Sequence, residues 1–297
     1  MNQESLFSIS PLDGRYENAV SALREITSEY GLIKYRYIIE IKWFIHLSKN
    51  PQIKELPKLD IKDYLYLNDL INNFDIKDAK RVKTIEKKTN HDVKAIEYFI
   101  REKFKKHKKL SKYQEFIHFA CTSEDINNLS YALMIKEAKS ITKAAINETN
   151  KKIKQLANKY KKISMLSRTH GQNASPTTMG KEFANFHHRI NKISLSVDRR
   201  TMTGKINGAV GNYNAHRVAY PEIDWQKISN QFVRSLKLDF NSHTTQIEPK
   251  DTIALLLGDY VKLNNVFIDM SRDIWGYISL GYFKQKQIGR ASCRERV

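Results

Sequence analysis

Three short polar stretches combine the groups that proton transfer and anion binding require: Thr89-Asn90-His91-Asp92, Thr122-Ser123-Glu124-Asp125 and Thr169-His170-Gly171-Gln172. Each sits between long amphipathic runs, where a helix ordinarily spreads its polar residues over a solvated face. An imidazole titrates near neutral pH, so His170 in a polar loop could hand a proton to a leaving group, or it could simply cap the next helix. Thr122 and Ser123 offer two hydroxyls and free backbone N–H groups at a helix start, which suits a carboxylate or phosphate and equally suits ordinary N-capping. His91 beside Asp92 reads as an Asp-oriented imidazole or as a surface cap. Together the three stretches predict one buried polar site assembled from distant parts of the chain.

The elements that must position these groups are helices. Only 11 Gly and 6 Pro interrupt 297 residues, which disfavours a turn-rich β fold. Leu32, Tyr35, Ile39, Trp43 and Leu47 form a helical stripe over residues 29–49. Further helices are predicted over 61–74 and 91–106. From Thr122, a possible N-cap with Asp125 three residues on, a stripe through Leu129, Leu133, Ile141, Ile153 and Leu156 predicts a helix of some 35 residues. Ser175-Pro176 is expected to open the next helix, Pro221 a shorter one and Glu248-Pro249 another long one. That last helix is apolar around much of its circumference (Leu256, Leu257, Val261, Ile268, Trp275), so neighbours should cover it on several sides. The glycines at 204, 208 and 211 predict a flexible segment. It matches no nucleotide-binding fingerprint, since no strand is predicted before it. The expectation is an all-α chain, with a helical domain over 1–112 and a long-helix bundle over 113–287.

Composition narrows the functional classes. Hydrophobic residues make up 41% of the chain, its mean hydropathy is -0.56, and no apolar run approaches the roughly 18 residues of a membrane helix. No basic start followed by an apolar stretch is seen, and two cysteines, Cys121 and Cys293, make no disulfide framework. A reduced, cytoplasmic setting is expected. No Cys/His spacing suggests zinc, and neither metal nor cofactor is expected. The formal net charge of +19 admits an anionic partner or compositional drift in a chain crowded with Lys, Asn and Ile. The Lys-rich run over 103–112 lacks the interleaved aromatics of single-strand binders and reads as a solvated helix end, so no nucleic-acid partner is expected. His118, His187, His188, His216 and His243 have no supporting context and read as structural.

The longer motifs are recognisable. Ser10-Pro11-Leu12-Asp13-Gly14-Arg15-Tyr16, Lys88-Thr89-Asn90-His91-Asp92-Val93-Lys94, Phe119-Ala120-Cys121-Thr122-Ser123-Glu124-Asp125-Ile126-Asn127-Asn128-Leu129, Ser167-Arg168-Thr169-His170-Gly171-Gln172, Gly204-Lys205-Ile206-Asn207-Gly208-Ala209-Val210-Gly211-Asn212-Tyr213 and Thr244-Thr245-Gln246-Ile247-Glu248-Pro249 follow one another in order. In this set the chain resembles the adenylosuccinate lyase family of the fumarase/aspartase superfamily, from residue 1 to about residue 287. The Thr-Ser and Thr-His pairs alone would fit other members, such as a lyase acting on argininosuccinate. The Asp13-Gly14-Arg15-Tyr16 and Asn90-His91-Asp92 contexts point to adenylosuccinate. The resemblance implies β-elimination of fumarate from adenylosuccinate and from the succinylated carboxamide ribonucleotide of purine synthesis. It implies His170 as general acid, with His91 assisting or contacting the phosphate. It implies Asn90 and Asp92 at the substrate, Asp92 also orienting His91. Thr122, Ser123 and Gln246 would then hold the succinyl carboxylates, and Arg15 and Tyr16 the nucleotide end. It also implies a homotetramer whose sites draw on several subunits.

The likeness breaks after Phe283-Lys284-Gln285-Lys286. The family continues into a loop reading Gly-Ser-Ser-x-Met-Pro-x-Lys-x-Asn, whose serine is the expected base. This chain instead reads Gln287-Ile288-Gly289-Arg290-Ala291-Ser292-Cys293-Arg294-Glu295-Arg296-Val297. Residues 288–297 read as a foreign tail, and Ser292, without the Met-Pro-x-Lys context, is not taken for the base. On this reading the chain is truncated, and the 297 residues alone should not turn over substrate.

Overall fold

The computed structural model describes residues 7–284, so the tail over 288–297 lies outside the described residues. Helices dominate: α1 (Ser21–Thr27), α2 (Glu29–Leu47), α3 (Ile61–Asn72), α4 (Ile76–Thr89), α5 (Asp92–Phe104), α6 (Ser123–Lys159), α7 (Met179–Arg199), α8 (Asn214–Ala219), α9 (Trp225–Ser235) and α10 (Asp251–Ser279). A 3₁₀ stretch covers Leu110–Phe116. Two small strand pairs complete the set: antiparallel β1 (Ser164–Thr169) with β2 (Gln172–Thr178), and parallel β3 (Thr203–Gly204) with β4 (Asp239–Phe240). Two compact units emerge, Met1–Thr142 with Thr201–Thr252, and Lys143–Arg200 with Ile253–Val297.

The spine of the first unit is α2. Ser28 caps it by accepting the Gly31 N–H at 3.3 Å. Tyr37, Ile39, Ile41, Trp43, Phe44 and Leu47 are then fully buried on successive faces. Each such side chain contributes about 1.5–3 kcal/mol by leaving water. Phe74, Val93, Ile96, Phe99 and Ile100 are buried in the same unit, and the Tyr37 ring lies 4.8 Å from that of Phe74 and 5.6 Å from that of Phe99. The sequence pattern did not announce α4, because most of its residues are charged. What makes it a helix is a capping box between Asp75 and Asp78 and the buried face of Ala79, Val82 and Ile85.

Two expectations are corrected in this unit. Pro221 does not open α9, which begins four residues later behind Asp224, whose carboxylate accepts the Lys227 N–H at 3.0 Å. Nor is the 204–211 segment a loose connection. Thr203 and Gly204 pair with Asp239 and Phe240, and Lys205, Ile206 and Asn207 are fully buried.

In the second unit α7 buries Phe183, Phe186 and Ile190 in a cluster with Ile146, Ile153, Leu263 and Val266. Here too a helix start moves. Pro176 lies in β2, opposite Leu166, and α7 begins at Met179 behind Thr178, whose hydroxyl accepts the Lys181 N–H at 3.1 Å. In a two-stranded ribbon every strand is an edge, so a residue without an N–H is tolerated there. On α10, Leu256, Leu263 and Val266 are buried while Leu257, Val261, Ile268 and Trp275 remain exposed within the chain. Among the described residues no helix is long and apolar enough to cross a membrane.

Candidate functional site

In the first unit the turn from α4 to α5 carries Asn90, His91 and Asp92. Asn90 takes the left-handed conformation (φ 50°) that ends α4, and His91 caps α5 through its Nδ1, which accepts the Lys94 N–H at 3.1 Å. The cap fixes the tautomer of the neutral ring: Nδ1 is the acceptor, so Nε2 carries the proton. Asp92 therefore orients His91 only indirectly, since its Oδ1 stands 3.7 Å from Nδ1 and accepts the Val93 N–H at 2.8 Å. Its other oxygen meets the Arg36 guanidinium at 2.7 Å. Burial alone would push the Asp92 carboxyl up; Arg36 and the Val93 amide outweigh it and hold the carboxyl below the usual range. An open cleft of about 590 Å³ is lined by Lys83, Glu86, Lys87, Asn90, His91 and Asp92.

Thr122 and Ser123 stand at the start of α6, both half-buried. They sit on a buried polar frame. Asp125 accepts the N–H of Thr122 at 2.8 Å, of Asn207 at 3.0 Å and of Gly208 at 3.1 Å, and pairs with the Lys205 ammonium at 2.9 Å. Both members of that ion pair are fully buried. Ahead of Thr122 the chain is bent through left-handed residues at His118 and Ala120. That bend is tied to α2, because His118 Nδ1 meets Glu40 at 2.6 Å and the Trp43 indole donates to the Phe119 carbonyl at 3.1 Å. Burial alone would lower the His118 pKa; Glu40 outweighs it, and Glu97 and Asp125 add to the rise.

Gln246 is exposed on a segment fixed at both sides: Asn207 donates to the Thr244 hydroxyl at 2.8 Å, and the buried Glu248 accepts from Thr203 at 2.8 Å. Lys250 reaches back to Glu124 at 3.1 Å. Gly211 (φ +80°) lets this segment approach, because a Cβ there would stand 2.1 Å from the Thr244 carbonyl oxygen. Arg15 and Tyr16 lie in the exposed turns before α1, with the guanidinium 5.7 Å from the centre of the Tyr16 ring.

His170 belongs to the second unit, on a hairpin rather than beside a helix start. Thr169 pairs with Gln172, and His170 and Gly171 both have positive φ (53° and 76°). Two such central residues define a type I′ turn, whose twist matches that of the strands. The turn presents an exposed imidazole at the tip, while Met165 at the base is buried in the core of its unit. Thus in the first unit Asp92 is held by Arg36, Thr122 by Asp125, and the segment carrying Gln246 by Asn207 and Thr203, while His91, Gln246 and His170 are exposed rather than parts of one buried polar site. Sequence reasoning missed Arg36 and Glu40 and gave Lys205 no role of its own, while His118, read as structural, meets Glu40 in the bend before Thr122. Among the described residues no three His, Cys, Asp or Glu side chains gather as a metal would require.

Residues 14–292 match a protein family described as lyase. The chain is 51% identical over 289 residues to the adenylosuccinate lyase of Legionella pneumophila strain Corby, and 50% identical over 289 residues to that of Escherichia coli K12. Each alignment covers 97% of this chain and 63% of the relative, so the chain spans under two thirds of the length of these relatives. In fold it is similar to a fumarate lyase from Mesorhizobium sp. BNC1 (TM-score 0.72, 15% identity, covering 87% of this chain and 57% of the other). It is also similar to β-carboxy-cis,cis-muconate cycloisomerase from Acinetobacter calcoaceticus sp. ADP1 (TM-score 0.69, 17% identity, the same coverage).

Proposed function

Because the chain belongs to the lyase family of the fumarase/aspartase superfamily, we propose that it supplies the substrate-holding part of an adenylosuccinate lyase. The reaction is a β-elimination. A base removes a proton from the carbon beside a carboxylate, the carbon–nitrogen bond breaks, fumarate departs and the leaving nitrogen takes up a proton to give AMP. The succinylated carboxamide ribonucleotide reacts in the same way. In this reading Thr122, Ser123 and Gln246 hold the succinyl carboxylates, and Arg15, Tyr16, Asn90 and Asp92 hold the rest of the substrate. His91 presents its Nε2–H to the phosphate or assists the acid, and His170 protonates the leaving nitrogen. The protein works in the cytoplasm as a homotetramer.

One observation carries the reading. Thr122 and Ser123 stand beside two carboxylates that are both already compensated: Asp125 by Lys205 and three amides, and Glu124 by Lys250. A cradle so compensated can receive a second carboxylate without like-charge repulsion. The test is fumarate release from adenylosuccinate by the protein at the length of its relatives. His170→Ala should lower kcat by about a hundredfold or more while leaving KM close to wild type, as loss of general-acid help does. Thr122→Ala and Gln246→Ala should raise KM, since carboxylates are present in the ground state. A His170→Ala loss below about tenfold would remove His170 from the chemistry.

A further inference from the structure

The residue that ties two parts of the candidate site together belongs to neither of them. Arg36 lies on α2, is 7% exposed, and is flanked along the helix by buried Tyr35, Tyr37, Ile33 and Ile39. Its Nη2 reaches Asp92 Oδ2 at 2.7 Å and its Nε donates to Asn127 Oδ1 at 2.8 Å. Asp92 opens α5 next to His91, and Asn127 lies in the first turns of α6, four residues after Ser123. One planar guanidinium thus spans the helix that carries His91 and the helix that carries the hydroxyl cradle. A second tether lies one turn further along α2, where Glu40 holds His118 in the bend before Thr122.

We propose that Arg36 is a positioning residue that sets the distance between His91 and the Thr122–Ser123 cradle. The inference rests on the adenylosuccinate reading for its consequence in catalysis, though not for its geometry. An ion pair whose guanidinium is buried and whose carboxylate is 47% exposed is weak support for stability, because well-packed apolar groups often serve as well or better. A guanidinium donating from separate nitrogens to acceptors on two helices does what an apolar side chain cannot: it fixes direction as well as contact. The Arg36 fork is rigid and planar, so a displacement at Asp92 is passed to Asn127. A lysine ammonium on a flexible stem holds one acceptor without fixing the other.

The test uses Arg36→Lys and Asn127→Ala, which cut the tether from its two ends, in the protein at the length of its relatives. A misplacement of about 1 Å in a site costs up to about a hundredfold, so kcat/KM for adenylosuccinate should fall about tenfold to a hundredfold in each variant, carried by KM. The double variant should fall no further than the worse single one, because both changes cut one link. In this chain as it stands, amide hydrogen exchange should rise at residues 92–94 and 122–127 in both variants and stay unchanged in α9. If KM and exchange at those residues remain at the wild-type level in both variants, Arg36 positions nothing. If the wild-type protein releases no fumarate, the proposed function falls, and the exchange pattern alone decides the tether. If Arg36→Lys does not fold, Asn127→Ala, which leaves Arg36 paired with Asp92, carries the test.

Discussion

The buried pair of Asp125 and Lys205 makes an unequal demand on its two members, and substitution should expose the inequality. Lys205 gives its ammonium to Asp125 at 2.9 Å and to the Gly208 carbonyl at 3.2 Å. In Lys205→Met the aliphatic stem is largely kept. The carboxylate left behind still accepts three backbone N–H groups, from Thr122, Asn207 and Gly208. The expected loss is about 3 kcal/mol, the low end for breaking a buried pair. In Asp125→Asn the ammonium is left buried without a counter-charge. One side of the amide now donates where amides pointed at it, so at least one N–H is orphaned at about 1–3 kcal/mol beyond the lost pair. The expected loss is about 5 kcal/mol or more, comparable with the whole stability of many domains. Urea unfolding of the chain measures both, followed by fluorescence of the buried Trp43 and Trp225, which lie in the same unit as the pair. A loss in Asp125→Asn no larger than that in Lys205→Met would show that the three amides do not depend on the carboxylate, and the framed cradle would lose its physical basis.

Two further perturbations test the surroundings of the site. His216 is fully buried against Trp43, Tyr213 and Trp225, neither ring nitrogen has a protein partner among the described residues, and burial pushes its pKa down to about 4. The unfolded chain takes up this proton near pH 6.5 and the folded chain only near 4. Stability is therefore unaffected above about pH 6.5 and falls by about 3 kcal/mol as pH drops through that window; His216→Phe should abolish this limb of the stability–pH profile. Gly211→Ala should cost more than Gly171→Ala in thermal unfolding. Both have positive φ, at about 1–2 kcal/mol for an L side chain, but only at Gly211 does a Cβ meet backbone, 2.1 Å from the Thr244 oxygen, whereas Gly171 has nothing within 4 Å. Equal losses would mean that the Thr244–Gln246 segment yields freely.

Much of the fold could be read from the sequence because apolar spacing and caps are local. The stripe through Leu32, Tyr35, Ile39 and Trp43 became α2, and the run from Thr122 became the 37-residue α6. The errors lie where a proline was given one meaning. Pro176 and Pro221 suggest first helical residues, yet the hydrogen-bonding caps stand at Thr178 and Asp224, whose types mark them in the sequence. The hairpin at His170 carried its own signal, a His-Gly pair between runs of Ser, Thr and Asn. Few of those residues are apolar, so no period-2 pattern announced the strands.

The positioning residues were hidden for a different reason. Sequence patterns treat charge as a mark of solvent, and on an amphipathic helix that is correct. On α2 it fails, because the solvated strip runs through Lys34, Ile38 and Lys42, whereas Arg36 and Glu40 lie on the opposite face among buried Ile33, Trp43, Phe44 and Leu47. A charge placed on the buried face of a helix must find a partner there, since an unpaired buried charge is too costly to persist. Those partners have to come from other elements, and here they are Asp92, Asn127 and His118, each within a few residues of a group expected at the substrate. The same reasoning applies to Lys205, set among Gly204, Ile206 and Asn207 in a segment first read as flexible. Its charge was the sign that the segment is buried against a carboxylate, and Asp125, two residues after Ser123, is that carboxylate. In this chain the side chains suited to chemistry were legible by type, and those that aim them become legible once the charged residues of apolar segments are asked where their partners lie.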